Sequence, residues 1–141
     1  MNEEKRRILI TGSTGCIGSH TVDVLLAEGG SEVFGFNRTE PKNDSIKDGY
    51  HFITGDLSDC KSVERAVEQV QPTQVIHLGA LQTPDCRDFP MQGMNINVLG
   101  TAHLFHACAK LKNPLERFVF ASSSAVNGAR SLYGPDGVRS E

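Results

Sequence analysis

No apolar run in the chain comes near the roughly eighteen residues of a membrane-spanning helix, which argues against a transmembrane anchor in this stretch. Basic residues are not in excess. Fourteen Lys plus Arg stand against seventeen Asp plus Glu, a net charge of −3 with no electrostatic pull toward nucleic acid or an anionic membrane surface. Cysteines are few, and Cys16, Cys60, Cys86 and Cys108 form no C-x-x-C pair. They are expected to be reduced packing residues, with neither a disulfide nor a metal site. The polar start, Met1 to Arg7, leads straight into Ile8-Leu9-Ile10 and lacks the apolar core and small-residue cleavage site of a signal peptide, so a cytoplasmic location is expected. No internal repeat or low-complexity tract occurs. A length of 141 residues suits one domain rather than two.

What is present is an alternation of short β-branched runs with segments of helical period, the pattern of a parallel sheet covered by helices on both faces. Five strands are predicted, at Arg7–Thr11, Glu32–Asn37, His51–Thr54, Gln74–Leu78 and Arg117–Ala121. Four of them are near-continuous apolar runs, as strands buried on both faces require. Gly18, Val22, Leu25 and Leu26 share one face of a first helix that Gly29-Gly30 ends. Ser58 is the expected N-cap of a second, with Val63, Ala66, Val67 and Val70 on its inner face and Pro72 beyond its end. A long helix is predicted over Met91–Lys112 and expected to be substantially buried, with Met94, Val98, Ala102, Phe105 and Ala109 on one side and Leu104, Cys108 and Leu111 on another. Arg38–Gly49 reads as a surface connection. After Ser124, Gly128, Gly134, Pro135 and Gly137 cannot sustain a helix, so residues 1–124 are expected to form the domain and 125–141 a loop.

The strongest chemical signal is Thr11-Gly12-Ser13-Thr14-Gly15-Cys16-Ile17-Gly18, directly after the first strand and at the start of the first helix. Glycine serves there for a sharp turn, for close approach of backbone to a pyrophosphate and for tight packing of helix on strand, while the helix N-terminus offers free N–H donors and the positive dipole end. The spacing is G-x-x-G-x-x-G. At the end of the second strand stand Asn37 and Arg38: a carboxylate would accept bonds from both ribose hydroxyls, whereas an arginine favours a 2′-phosphate. The local charge leans slightly to NADP over NAD, with Arg38 as a mere cover for the adenine left open.

The variant glycine spacing resembles the extended branch of the short-chain dehydrogenase/reductase superfamily, the NAD-dependent epimerase/dehydratase family, and further motifs follow in that family's order. Gly55-Asp56-Leu57 resembles the segment whose acidic residue bonds the adenine; Asp56 could equally cap the following turn. His77-Leu78-Gly79-Ala80 resembles the segment whose small residues lie against the nicotinamide-side ribose. Asn97-Val98-Leu99-Gly100-Thr101 is similar to N-V-x-G-T, whose asparagine supports the active-site hydrogen bonds, an internal helix–loop bond being the structural alternative. Ala121-Ser122-Ser123-Ser124-Ala125-Val126-Asn127-Gly128 resembles S-S-x-x-V-Y-G, and counting back from Gly128 selects Ser123 as the catalytic serine, with Ser122 and Ser124 as competitors. Asn127 departs from the family's tyrosine.

The resemblance implies a Rossmann-like doubly wound domain of strand order 3-2-1-4-5, short of the sixth strand and substrate lobe, with NAD or NADP as cofactor and no metal. It implies a sugar or nucleotide-sugar substrate for the complete enzyme, Ser123 orienting that substrate's hydroxyl or carbonyl, and a homodimer. The family's Tyr-x-x-x-Lys pair falls beyond Glu141, and Tyr133 is no substitute, because Gly137 stands four residues on and Gly134-Pro135 deny the helix. This chain alone is therefore expected to be inactive. A non-catalytic NAD(P)-sensing module stays open, distinguished by whether Tyr-x-x-x-Lys follows Glu141.

Overall fold

Ile8, Leu9 and Ile10 are almost completely buried because β1 (Arg6–Thr11) is the middle strand of a five-stranded sheet with both faces covered. The computed structural model describes residues 5–41 and 48–123. β2 (Ser31–Asn37), β3 (Tyr50–Thr54), β4 (Gln74–His77) and β5 (Arg117–Phe120) complete the sheet in the order β3-β2-β1-β4-β5, every pair parallel. This is the expected order. Leu78 and Ala121 fall just outside their strands, yet their N–H groups still bond Thr11 O and His77 O at 3.2 Å each.

α1 (Cys16–Glu28) covers one face of the sheet, where Val22 meets Ile8, Ile10, Val33 and Tyr50. α2 (Cys60–Val70) and α5 (Gly100–Cys108) cover the other, where Leu9, Phe36, Val75, Val67 and Leu104 form the larger core. Complete burial of a Val or Leu side chain contributes about 1.5–3 kcal/mol, and α2 commits Val63, Val67 and Val70 from a single face. The N-cap of α2 is Asp59, whose side chain accepts from Lys61 N, and not Ser58, whose backbone N–H and hydroxyl both donate to Asp56 Oδ1. Ser58 is spent one turn early because Asp56 closes its own turn first.

The helix predicted over Met91–Lys112 ends at Cys108, and it departs from expectation in two further ways. It is preceded by a short helix, α3 (Thr83–Asp88), and it runs as α4 (Pro90–Gly93), a π-helical stretch (Met94–Leu99) and α5. In the π-helical stretch the backbone bonds are one residue wider, with Gly100 N–H reaching Asn95 O. Ile96, Gly100, Leu104, Ala107 and Cys108 face the core, whereas Met94, Val98 and Phe105 are each about half exposed and Met91 is 72% exposed. The expected inner stripe is thus partly an outer one: the wider turn redirects the helical face, and Gly100 packs so closely on the loop after β3 that a Cβ there would lie 2.9 Å from Leu57 Cβ.

Among the described residues no helix is long and apolar enough to cross a membrane. Nor, among them, do three or more His, Cys, Asp or Glu gather as metal ligands. All four cysteines are free. Cys108 is buried, and burial pushes its thiol up to about 11; Cys60 and Cys86 are half-buried, but Cys16 is exposed, against the expectation that it packs. Of the connection Arg38–Gly49, Arg38, Thr39 and Glu40 are exposed as expected, while 42–47 lie outside the described residues, as do Ser124 and the expected loop 125–141.

Candidate active site

Parallel strands all end on the same side, and between β1 and β4 the crossovers turn to opposite faces of the sheet, so their carboxyl-end loops part. A cleft of about 850 Å³ opens there. The loop between β1 and α1 supplies Gly12, Thr14 and Gly15, and the first turn of α1 Cys16, Ile17 and Gly18; the end of β2 supplies Asn37, with Arg38 just beyond it; the turn after β3 supplies Asp56 and Leu57. On the far side lie Leu78, Gly79, Ala80, Asn97, Ser122 and Ser123. The site residues singled out from the sequence therefore border one cavity, although their positions span more than a hundred residues of chain; only the competing Ser124 lies outside the described residues.

The glycines are required by contact as well as by conformation. Gly12 has φ +71°, and a Cβ on it would sit 2.8 Å from Gly79 N, so the first and fourth strand-end loops touch backbone to backbone. A Cβ on Gly18 would sit 2.8 Å from Ser13 Cα, which explains how α1 packs on its own entry loop. Gly15 differs: a Cβ there meets only Gly12 O, at 3.2 Å, and otherwise projects into the open cleft. Gly15 is the N-cap of α1 and has no side chain to cap it, so the first-turn N–H groups lack an intrahelical partner, and no acidic side chain stands in that turn. The cleft thus presents unsatisfied donors and the positive end of a thirteen-residue helix.

Asn37 Nδ2 donates to Thr14 Oγ1, tying the end of β2 to the glycine loop. Arg38 is exposed at the rim. Asp56 accepts from Ser58 as described, leaving it half-buried on the cleft wall and serving as the turn cap that was the alternative reading. Asn97, carried on the π-helical stretch, accepts from Leu81 N at 2.8 Å and donates to Leu81 O at 3.1 Å, so its amide clamps the loop after β4 to the helix. That is a helix–loop bond, made by a residue that also lines the cavity.

Sequence reading gave no site role to Thr11, His77 or Thr101. His77 is 3% exposed, with Nδ1 2.6 Å from Thr11 Oγ1 and Nε2 2.9 Å from Thr101 Oγ1. Thr11 Oγ1 also accepts from Gly79 N at 3.0 Å, and Thr101 donates to Asn97 O at 2.7 Å. Burial holds the imidazole's pKa below its ordinary value. Phe36, Gly55 and Phe120, also on the cleft, were read only as strand or turn residues. Below the glycine loop, Tyr50 Oη donates to Ser13 Oγ at 3.0 Å, and burial raises the phenol's pKa against the lowering effect of that bond.

A doubly wound parallel sheet with a glycine loop opening on an uncapped helix end defines the class of dinucleotide-binding α/β proteins. Residues 8–138 match the NAD dependent epimerase/dehydratase family, and the chain belongs to it. It is 29% identical over 141 residues to a UDP-glucose 4-epimerase of Mycoplasma pneumoniae, covering 93% of this chain and 40% of that protein. It is 33% identical over 132 residues to UDP-glucuronate 4-epimerase 1 of Arabidopsis thaliana, covering 86% and 30%. Against 90% of the Candida maltosa bifunctional protein GAL10, the identity is 29%. Among solved structures, the Thermus thermophilus UDP-glucose 4-epimerase complex with NAD superposes with a TM-score of 0.78 at 36% identity, over 96% of this chain and 42% of that one. The Bordetella bronchiseptica enzyme WbmG, in complex with NAD and UDP, superposes with a TM-score of 0.71 at 28% identity, over 83% and 37%. The chain thus spans 30–42% of these relatives' length, apart from the Candida maltosa protein, of which it covers 90%.

Proposed function

We propose that this chain is the cofactor-binding part of an NAD(P)-dependent enzyme that acts on a hydroxyl of a nucleotide sugar. The observation that carries the reading is the Gly15 cradle: the one loop glycine whose missing side chain leaves open cleft rather than packed backbone stands at an uncapped helix N-terminus. A pyrophosphate fits such a place, because backbone donors and the helix dipole both meet its charge without a side chain intervening. The first turn of α1 would hold the pyrophosphate, Asn37 and Arg38 the adenosine ribose, and Asp56 and Leu57 the adenine. Leu78, Gly79, Ala80, Asn97 and Ser122 would flank the nicotinamide side. A bound dinucleotide would supply hydride-transfer chemistry there, and Ser123, just past the end of β5, would orient the substrate hydroxyl by a hydrogen bond. The relatives, a UDP-glucose 4-epimerase in complex with NAD and WbmG in complex with NAD and UDP, support NAD and a UDP-sugar as first ligands to try.

Calorimetry with NAD on the parent and on Gly15→Val tests the cradle. A Cβ at Gly15 meets only Gly12 O, at 3.2 Å, so the variant is expected to fold, which its circular dichroism checks, and its NAD affinity falls below detection. Equal affinity in the folded variant removes the pyrophosphate assignment. The cofactor's 2′ position is read separately. Arg38→Ala weakens NADP binding by about 1–3 kcal/mol more than NAD binding if its guanidinium meets the 2′-phosphate. A uniform loss for both cofactors leaves Arg38 as a cover for the adenine.

A further inference from the structure

A chain of hydrogen bonds runs through His77 beside the cleft, and the direction of each bond follows from the donors available. Thr101 has one hydroxyl proton and gives it to Asn97 O at 2.7 Å, so at its 2.9 Å contact with His77 Nε2 the threonine oxygen accepts and the ring donates. A neutral imidazole protonated at Nε2 has a bare Nδ1, which must then accept from Thr11 Oγ1 at 2.6 Å. Thr11, its proton committed to the ring, accepts at the same oxygen from Gly79 N at 3.0 Å. The sequence Gly79 N–H to Thr11 O–H to His77, and His77 N–H to Thr101 O–H to Asn97 carbonyl, leaves no donor or acceptor over. The ring contacts the Phe118 and Phe120 rings, at 6.4 and 5.6 Å between centroids, and His77 is 3% exposed.

Both ends of this chain reach parts of the cleft already assigned to the cofactor. Thr11 immediately precedes Gly12, whose backbone abuts Gly79. Asn97 fixes Leu81 through both its amide atoms. We infer that His77 is a positioning residue, fixed as the neutral Nε2–H tautomer, which sets the spacing of the two glycine-bearing loops and so the affinity for the dinucleotide. The inference rests on the cofactor reading above. It assigns to His77 no contact with the reacting atoms, and it requires both threonine hydroxyls rather than their bulk.

The experiment combines an imidazole ¹⁵N–¹H correlation spectrum with NAD calorimetry on the whole chain. In the cofactor-free parent at pH 7.5, His77 shows a protonated Nε2 and an unprotonated Nδ1. Thr101→Val leaves the ring N–H without an acceptor and releases the loop spacing that the ring sets, so NAD affinity falls roughly tenfold, about 1.4 kcal/mol. Thr101→Ser, which restores the hydroxyl and removes only the methyl, recovers affinity to within about twofold of the parent. If Thr101→Val does not fold, Thr101→Ala carries the same comparison, since alanine favours the helix. A ring protonated at Nδ1, or at both nitrogens, overturns the inference, as does a folded hydroxyl-free variant that binds NAD as tightly as the parent. A parent that binds no NAD overturns the cofactor reading itself, while the tautomer spectrum still separates that failure from an error in the bond directions.

Discussion

Gly35, in the middle of β2, has no room for a side chain because Tyr50 Oη and Ser13 Oγ fill the space a Cβ would take. The bond between those two oxygens joins residues 37 positions apart, across an intervening strand, and Tyr50 belongs to no motif. Such contacts were not legible in the sequence, because they depend on which strands become neighbours rather than on any local pattern. His77 was hidden differently: it stands inside the motif His77-Leu78-Gly79-Ala80, but its neighbours Thr11 and Thr101 lie 66 and 24 residues away. The glycine loop, in contrast, was readable because turn, close approach and helix start are all consequences of adjacent residues. At this scale pH should act through His77. Its folded pKa lies below the ordinary value, so the unfolded chain takes up the proton first as pH falls. The stability contributed by keeping the ring neutral is therefore complete above about pH 6.5 and lost below it, at no more than about 1.4 kcal/mol per pH unit for one proton. Urea midpoints measured between pH 7.5 and 5 are expected to fall for the parent and to flatten in His77→Gln across pH 6.5–5.5. A parent midpoint constant over that window would show that the ring charges as readily when folded.

Helix α2 shows where element boundaries escaped a reading by residue type. Ser58 and Asp59 are both good N-caps, and nothing in the local sequence ranks them. The structure decides for Asp59, because Asp56 draws the Ser58 N–H and hydroxyl into its own turn. The same limit applies to the π-helical stretch of Met94–Leu99: periodicity found the helix, but a single widened turn rotates every later side chain and cannot be seen in a repeat of 3.6. The cap assignment predicts a contrast. Asp59→Ala removes the acceptor for Lys61 N and lowers stability by about 1 kcal/mol, within the usual range of 0.5–2 for a lost cap. Ser58→Ala, which deletes only an exposed hydroxyl bond, costs about half as much or less. The Asp59–Arg65 pair, 3.9 Å apart and exposed on both sides, adds little to this difference. Chemical denaturation of both variants decides it, and Asp59→Asn, which keeps the capping oxygen, is expected to stay within a few tenths of the parent. Equal losses at the two positions would return the cap to a shared role.

For the whole molecule, the strand order was legible because each crossover must be right-handed and each apolar run must be buried on two faces, which leaves few arrangements. The outer surface was not, since a half-exposed Met94 or Phe105 has the same sequence signature as a buried one. What the architecture does dictate is that the cleft has walls from both halves of the sheet: β1, β2 and β3 end on one side of it, β4 and β5 on the other. A dinucleotide lying across it contacts segments that come together only in the native fold, so it binds the folded chain and not the unfolded one. Mass action then fixes the size of the effect. At a free NAD concentration of 100 times its dissociation constant, the folded state gains about 2.7 kcal/mol. For a chain of this size, that raises the midpoint of thermal unfolding by roughly 10 °C. Scanning calorimetry over a series of NAD concentrations should show the midpoint climbing with the logarithm of ligand, with no plateau once the site is filled. Gly15→Val should show no climb, because it blocks the pyrophosphate without disturbing the sheet. Thr101→Val should follow the parent's slope displaced toward higher NAD concentration, since a weakened site responds identically once ligand is scaled to its own dissociation constant. An NAD-independent midpoint in the parent would mean that the cleft, however well its glycines are placed, does not take this cofactor.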